Sequence, residues 1–273
     1  MPEAESIGRL GGWEGYRVGT VQRFEAGERG VRAQVWIELH PDPGRVKVCS
    51  RCGCECRHNG AKWKDLPRQF GSKCAVHRWF TTWVKAGVFE RLMRDAGRRV
   101  EERGGYRLYE CFIDATFSKA KGGGDGIGVT KAGKGVRIMV LLDARGLPVA
   151  VDTASATPHE SKLVQGLFDF MLTSVTPDRV VGDKAYDSDK LDDQLACEGV
   201  DLIAPHRANR RAENKSQDGR YLRRYRRCWT VERTILWFQN FRRLCIRWEK
   251  SSTLFRGFLH LSCSTLLLRE VLG

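Results

Sequence analysis

The chain has 273 residues, of which 41% are hydrophobic and 29% charged, enough apolar material for a folded core. Its 47 Lys and Arg against 33 Asp and Glu leave a formal charge of +14 and a pI near 9.5, which suits a polyanionic partner. No apolar run reaches membrane-spanning length, and the start (Pro2, Glu3, Glu5) carries no apolar signal region, so the expected compartment is the cytoplasm.

The first 45 residues give a poor periodic signal, with one candidate strand over 31–39 before Pro41, Pro43 and Gly44 break the chain. A cysteine run follows at Cys49, Cys52, Cys54 and Cys56. The pair Cys49/Cys52 could join Cys74 and His77 in a structural Cys₃His zinc set, with Cys54, Cys56 and His58 as competing ligands. Cys111, Cys197, Cys245 and Cys263 sit singly among apolar residues and are expected as reduced core positions. Over 72–100 the apolar residues Val76, Trp79, Phe80, Trp83, Val88, Phe89 and Leu92 fall at three- and four-residue spacing, with Gly87 dividing two short helices. That arrangement fits a helical hairpin or helix-turn-helix unit.

Beyond it the pattern is α/β. Strands are expected over 108–113, ending at Asp114, and over 136–142 and 148–153, joined by the turn Asp143-Ala-Arg-Gly146. Pro158 opens a helix, 179–182 is a strand ending at Asp183, 189–198 a helix and 200–204 a strand. A long amphipathic helix is expected from 230 to about 248, and a second amphipathic packing helix over 254–272. Strands in a meander followed by alternating helices and strands predict a mixed sheet with helices on its faces.

The basic excess is concentrated. Residues 201–250 hold 14 Lys and Arg against 5 Asp and Glu, which is +9 of the +14. Arg223, Arg224, Arg226 and Arg227 around Tyr225 form a candidate phosphate-tracking patch. The glycine-rich run 121–131 nearly fits a nucleotide-binding loop through Gly128, Gly133 and Lys134, but Gly135 stands where Ser or Thr is needed. The preferred reading is a loop whose Lys119, Lys121, Lys131 and Lys134 meet DNA backbone.

Two acids stand at predicted strand ends, Asp114 after Cys111-Phe112-Ile113 and Asp183 after Val180-Val181-Gly182. A third, Glu232, lies near the start of the long helix. A lone strand-end Asp is more often a turn or capping residue. Three converging carboxylates in a basic chain would instead hold hard divalent ions such as Mg²⁺ or Mn²⁺.

Several stretches together resemble insertion-sequence transposases. They are Phe112-Ile-Asp-Ala-Thr-Phe117, Ala156-Thr-Pro-His-Glu-Ser161, Gly182-Asp-Lys-Ala-Tyr-Asp187, Ile203-Ala-Pro-His-Arg207, Trp229-Thr-Val-Glu-Arg-Thr234 and Gln239-Asn-Phe-Arg-Arg-Leu244. Over roughly 58–273 the chain resembles the insertion sequence five family, within the insertion-sequence-four type DDE group. The resemblance implies an RNase H-like catalytic fold with Asp114, Asp183 and Glu232 as a catalytic triad holding two Mg²⁺ (or Mn²⁺) ions. It also makes 121–131 a mobile hairpin. The family's signature around its glutamate is Tyr, Arg, Glu, Lys; Tyr225 and Glu232 match, whereas Cys228 replaces the Arg and Gln239 the Lys. Glu232 and Gln239, seven apart, share a helix face. Gln239 can donate a hydrogen bond to DNA, and Arg227, Arg233, Arg242 and Arg243 can partly supply the missing charge. Trp63-Lys-Asp-Leu-Pro67 matches a turn of the family, but residues 1–57 do not resemble it.

The expected organisation is a divergent segment over 1–57, a helical DNA-binding region over 58–104 and a catalytic domain over 105–273. The expected activity is metal-dependent cleavage of double-stranded transposon ends and their transfer into target DNA, performed by a homodimer on DNA. The alternative is a copy that binds DNA without cutting it, which the replacements at Cys228 and Gln239 favour.

Overall fold

The structure, a computed structural model, describes residues 17–18, 39–40, 63–65, 72–210, 213 and 223–272. The cysteine run at 49–56 and all but the last residue of the strand expected over 31–39 lie outside them. The chain divides into two compact units, Met1–Trp83 and Val84–Gly273. In the first, Arg17–Val18 and Leu39–His40 pair antiparallel, and Trp63–Asp65 forms a 3-10 turn whose tryptophan ring lies 5.1 Å from His77.

The main elements are helices α1 (Lys73–Lys85) and α2 (Val88–Glu102), strands β1 (Cys111–Ala120), β2 (Gly128–Thr130), β3 (Gly133–Leu142) and β4 (Pro148–Ser155), and helix α3 (Val164–Phe168). Strand β5 (Arg179–Val181), helix α4 (Asp189–Cys197), strand β6 (Asp201–Ile203), helices α5 (Trp229–Gln239) and α6 (Arg242–Cys245), strand β7 (Ile246–Arg247) and helix α7 (Ser252–Leu272) follow. Seven strands form one sheet. Strand β3 pairs antiparallel with β1 on one side and with β4 and the short β2 on the other. Strand β5 lies parallel to β1, and β6 parallel to β5. This is an RNase H-like mixed sheet flanked by helices.

Alternation along the strands divides the core between the two faces. Cys111, Ile113, Met139, Leu141 and Val180 point to one face and pack with Val164, Leu167 and Phe168 around α3 and with Leu191 and Leu195 of α4. Phe112, Ile138, Val140 and Leu142 are buried on the other, where α5 packs on β1 and α7 on β4. Because β3 is covered on both faces, its sequence reads as one apolar run rather than an alternating one. Helix α2 turns Val88, Phe89, Met93, Ala96 and Val100 inward at helical spacing and packs along α7.

Several expectations are corrected. Strand β1 does not stop at Asp114 but runs six residues further, because antiparallel pairing with β3 continues to Lys119. The helix expected over 230–248 breaks at Phe241, whose φ of −90° and ψ of 93° are extended. The apolar spacing through Phe241 and Leu244 is still helical, so periodicity cannot register the break. It follows from a tertiary demand, since Ile246–Arg247 leaves the helix to pair with Lys119–Ala120 of β1. Helix α7 packs as expected, with residues 257–264 buried without interruption and Arg256, Arg269 and Glu270 at its less buried positions. Of the four single cysteines, Cys111 and Cys263 are buried, Cys197 is exposed and Cys245 half-buried; all are free thiols.

The glycine-rich loop after β1 makes close contacts at its first half. Gly124, at φ +119°, lies so close to the backbone of Lys250 that a Cβ would stand 2.0 Å from its carbonyl oxygen. Asp125 accepts from the Ser252 amide at 2.5 Å and from Arg247 Nη2 at 2.9 Å. Arg247, fully buried, also donates to the Glu249 and Lys250 carbonyls.

At the β3–β4 turn, the buried Asp143 carboxylate accepts from the amides of Arg107 at 3.0 Å, Arg145 at 3.0 Å and Leu147 at 2.7 Å. Asp143→Ala leaves those donors unpaired and is expected to lower stability by about 2–3 kcal/mol. Urea unfolding of the full chain measures this, and a loss under about 0.5 kcal/mol, the scatter of ordinary surface changes, contradicts the assignment.

Candidate active site

The site is laid out by an interruption in the sheet. Strand β5 pairs with β1 only through Cys111–Val180 and Phe112–Val181, and β7 joins the same edge only at Lys119–Ala120. Between them, residues 113–118 have no strand partner on that edge among the described residues. Asp114 and Asp183 each follow the last pair of that parallel register, Phe112–Val181, by two residues. Alternation puts Asp114 on the face of Phe112, and Asp183 lies beyond the end of β5, outside the ladder. Asp183 Oδ1 accepts from the Ala185 amide at 2.8 Å and caps the 3-10 turn Lys184–Tyr186. Asp114 Oδ1 accepts from the Ala115 amide at 2.7 Å. Glu232 stands exposed in the first turn of α5, where a negative charge also suits the helix N-terminus.

These acids sense one another. Burial pushes the Asp114 carboxyl up to about 6; the charges of Asp183, Glu160 and Glu232 add to the rise, and the Ala115 amide opposes it. Burial and then the charges of Asp114, Glu232 and Asp183 drive the Cys228 thiol up to about 12. Cys228 therefore faces the acids as a neutral thiol, at the position where the family signature has an arginine.

The donor set fits a hard divalent cation: carboxylate oxygens, partly desolvated and mutually repelling, are what such an ion relieves. Among the described residues, no three His, Cys, Asp or Glu side chains are already drawn into a coordination shell. Of the proposed zinc set, Cys49 and Cys52 lie outside the described residues, Cys74 is an exposed free thiol and His77 packs edge-on against Trp63.

The structure sorts the candidate DNA-binding residues. Lys119, Lys121, Lys131 and Lys134 are all exposed, Lys121 with its ammonium 5.3 Å from the Trp248 ring. Arg223, Tyr225, Arg226, Gln239 and Arg242 are exposed as well. Arg243 is not a surface residue: at 2% exposure it forms an ion pair with buried Glu249 and lies over the Phe258 ring. Arg224 and Arg227 turn to the fully buried Glu110, at 2.7 and 2.8 Å, because an ionised carboxylate cannot remain buried unpaired. Arg233 donates to the Arg145 carbonyl at 2.7 Å and lies over the Trp229 ring.

Sequence reasoning assigned no role to Glu110, Glu160, Asp187 or Arg207. Asp187 accepts from the Arg207 amide at 2.7 Å, meets His206 Nδ1 at 3.0 Å and pairs with Arg210. Arg207 Nε donates to the Lys184 carbonyl at 2.9 Å. The segment Ile203–Arg207 therefore locks the turn that begins at Asp183. The signal was present in the quoted motifs, but a motif gives the residues of a clasp without giving its partners.

The fold is a mixed α/β sheet flanked by helices, and the comparisons give the family. The chain belongs to the DDE transposases: the profile described as Transposase DDE domain matches residues 107–267. A second profile, for transposases of the IS4/5 family, matches 56–93. Among curated proteins, one assigned as the transposase of insertion sequence element IS402 from Burkholderia cepacia is 30% identical over 145 residues, 49% of this chain and 63% of that protein. An uncharacterized protein of Sinorhizobium fredii, y4sN, is 29% identical over 86 residues, 32% of this chain and 64% of that one. The chain thus spans a little under two thirds of these relatives' lengths. Among solved structures, the Mos1 mariner transposase catalytic domain aligns at 12% identity and a TM-score of 0.27, over 67% of this chain and 95% of that one. The piggyBac transposase synaptic complex aligns at 11% identity and a TM-score of 0.46, over 60% and 47%.

The Asp114 shift has a stability consequence with a definite sign. Its folded-state pKa of about 6 lies above the usual 3.8, so the folded protein holds a proton that the unfolded chain releases from about pH 4 upward. In chelator, this group's contribution is complete below pH 4 and lost as pH rises to 6. The wild type should therefore lose stability relative to Asp114→Asn across that window, read from unfolding midpoints at stepped pH. A constant difference between the two rules the shift out.

Proposed function

We propose that the chain is an insertion-sequence transposase that binds double-stranded transposon ends, cuts them with divalent-metal assistance and joins them to target DNA. The observation that carries the proposal is that Asp114 and Asp183 each follow the last β1–β5 pair by two residues, at an edge of β1 with no strand partner among the described residues, while the helix bearing Glu232 packs on the same strand. In this reading Asp114, Asp183 and Glu232 hold two Mg²⁺ or Mn²⁺ ions. The ions, when bound, supply the charge that stabilises the entering and leaving oxygens of in-line phosphoryl transfer. Asp183, fixed by its own capping bond and by the Arg207 clasp, aims one carboxylate, and the rigid strand β1 aims the other. Water attacks first, and the freed 3′-hydroxyl attacks target DNA second. Concerted cutting of two ends calls for a homodimer on DNA. The region of α1 and α2 supplies part of the end recognition. Among the described residues, no helix is long and apolar enough to cross a membrane.

A second reading, a DNA-binding copy without cleavage, is favoured by one observation. Cys228 faces the acids as a neutral thiol, and Gln239 lacks charge where the family signature has lysine.

The two are separated by cleavage of a labelled end duplex with Mg²⁺, Mn²⁺ or chelator. The wild type should cut only with metal, and Asp183→Asn should lose cutting by at least about 100-fold while binding ends nearly as well, because the amide keeps the shape but not the charge. Cutting that survives in the variant or in chelator removes the metal mechanism; a wild type that binds and never cuts selects the second reading.

DNA binding should weaken steeply with salt through counterion release. Arg223→Ala with Arg226→Ala should flatten the slope of log K against log salt by about one unit per lost contact. Arg224→Ala with Arg227→Ala, which removes both ion-pair partners of buried Glu110, should instead lower the unfolding midpoint. If the exposed pair leaves the slope unchanged, this patch is not at the DNA interface.

A further inference from the structure

Strand β3 outruns its neighbours. Its pairing with β1 ends at Lys119–Gly135 and its pairing with β4 at Val136–Ser155, so residues 133–134 are left with β2 alone. Among the described residues β2 has no other strand partner, and residues 128–135 form a two-stranded ribbon at the edge of the sheet. Glycines clamp its base. A Cβ on Gly128 would stand 2.2 Å from the Thr157 amide nitrogen, and one on Gly135 2.4 Å from both the Ser118 carbonyl oxygen and Phe117 Cζ. The Val129 amide donates to Thr157 Oγ1 at 3.2 Å. At the tip, Thr130 ties the turn Lys131-Ala132: its Oγ1 accepts from the Ala132 amide and donates to the Gly133 carbonyl, both at 3.1 Å. A ribbon tied at base and tip holds its shape without a core beneath it.

What the ribbon presents is basic and partly apolar. Val129 is 66% exposed, the most exposed of the large hydrophobic residues described, and it stands directly across from the exposed Lys134. Cross-strand partners share a face, and alternation along β3 carries Lys134 to the face of Val140, the partner of Asp114. The other face carries Gly128, Gly133, Gly135 and Thr130, so the ribbon is thin there. Residues 128–135 include two lysines and no acid. Lys119 and Lys121 stand exposed at the adjoining end of β1, and Asp125, in the loop between, is engaged by Arg247 and Ser252.

Resting on the DNA-binding reading above, we infer that this ribbon lies in the major groove of the transposon-end duplex. Val129 meets the base edges, and Lys131 and Lys134 meet the flanking phosphates. That groove, about 12 Å wide, admits a two-stranded ribbon, and a face of glycines lets the backbone approach it closely. The register also sets the distance. Lys134 lies six residues from Val140 along β3, which is about 20 Å of strand and about six base pairs of duplex. A duplex running along β3 from Asp114 therefore meets the ribbon about six base pairs from the cut.

The test is binding of the full chain to a labelled duplex of the inverted repeat that flanks its gene, altered one base pair at a time. A 5-propynyl group on the pyrimidine of each pair fills the major groove whatever the sequence, and a methylphosphonate removes one phosphate charge. Propynyl groups near the sixth pair should weaken wild-type binding by about 10-fold, the scale of one disrupted base contact. Val129→Ala, which opens space, should lose part of that penalty. Methylphosphonates flanking the same pair should weaken the wild type but not Lys131→Ala with Lys134→Ala, whose salt slope should fall by about one unit per lost contact. Both variants should keep the wild-type unfolding midpoint, because all three side chains are exposed. Propynyl groups without effect at every pair from about the fourth to the eighth, or a lysine variant with wild-type affinity and slope, overturn the inference; end binding itself then leaves the proposed function standing. Lysine variants that bind and cut ends normally but join them poorly overturn it as well, because they put the ribbon on target DNA. A wild type that binds the inverted repeat no better than an unrelated duplex overturns the proposed function itself.

Discussion

The structure depends on how one edge of β1 is shared. That ten-residue strand is paired along almost its whole length with β3, but its other edge is divided between β5 at one end and β7 at the other. Each partner covers two residues, and Asp114 lies in the gap between them. Were β5 three residues longer, Asp183 would be a ladder residue with its side chain fixed by the pleat. Because it ends at Val181, the chain is free to turn, Asp183 caps that turn, and Tyr186 folds back over Gly182.

The far end of the same edge imposes a different cost. To reach Lys119–Ala120, the chain must leave α5 and α6 and enter β7, which carries Arg243, Arg247 and Glu249 into the interior. Buried ions are unfavourable unless paired and hydrogen-bonded. Here Arg243 pairs with Glu249, and Arg247 is shared among Asp125 and the carbonyls of Glu249 and Lys250. Asp125 belongs to the glycine-rich loop, so the buried cluster also fastens that loop. One strand pairing thus accounts for the break in the helix, the buried arginines and the loop's close contacts.

Local signals in the sequence reach part of this. The strands around Asp143, the helices on either side of Gly87 and the acid after Val180-Val181-Gly182 were all legible, because period, turn chemistry and strand ends are local. The extension of β1 past Asp114 was not, since Ala115–Ala120 becomes a strand only through pairing with β3. The break at Phe241 was hidden by helical spacing that continues across it. Glu160 was quoted within a motif, but the clasp through Arg207 that joins its turn to the one Asp183 caps links turns more than twenty residues apart in sequence. Spacing shows which residues can share an element, not which elements meet.

The same distinction applies to charge. The +9 of residues 201–250 reads as a uniform field for phosphate, but the fold divides it. Arg224 and Arg227 answer Glu110, Arg243 answers Glu249, and Arg210 answers Asp187 and Asp189. Those arginines serve acids that the fold has buried or used to fix turns, and their positive ends are largely compensated before DNA arrives. What remains exposed in the described part, outside these ion pairs, is a smaller set, Arg223, Arg226, Arg233, Arg242 and Lys250, together with the lysines of β1 and the β2–β3 hairpin. Formal charge is therefore an upper bound on the field a phosphate meets. The acids at the gap in β1 lower it further, and a divalent cation held there, as proposed above, would offset their negative charge.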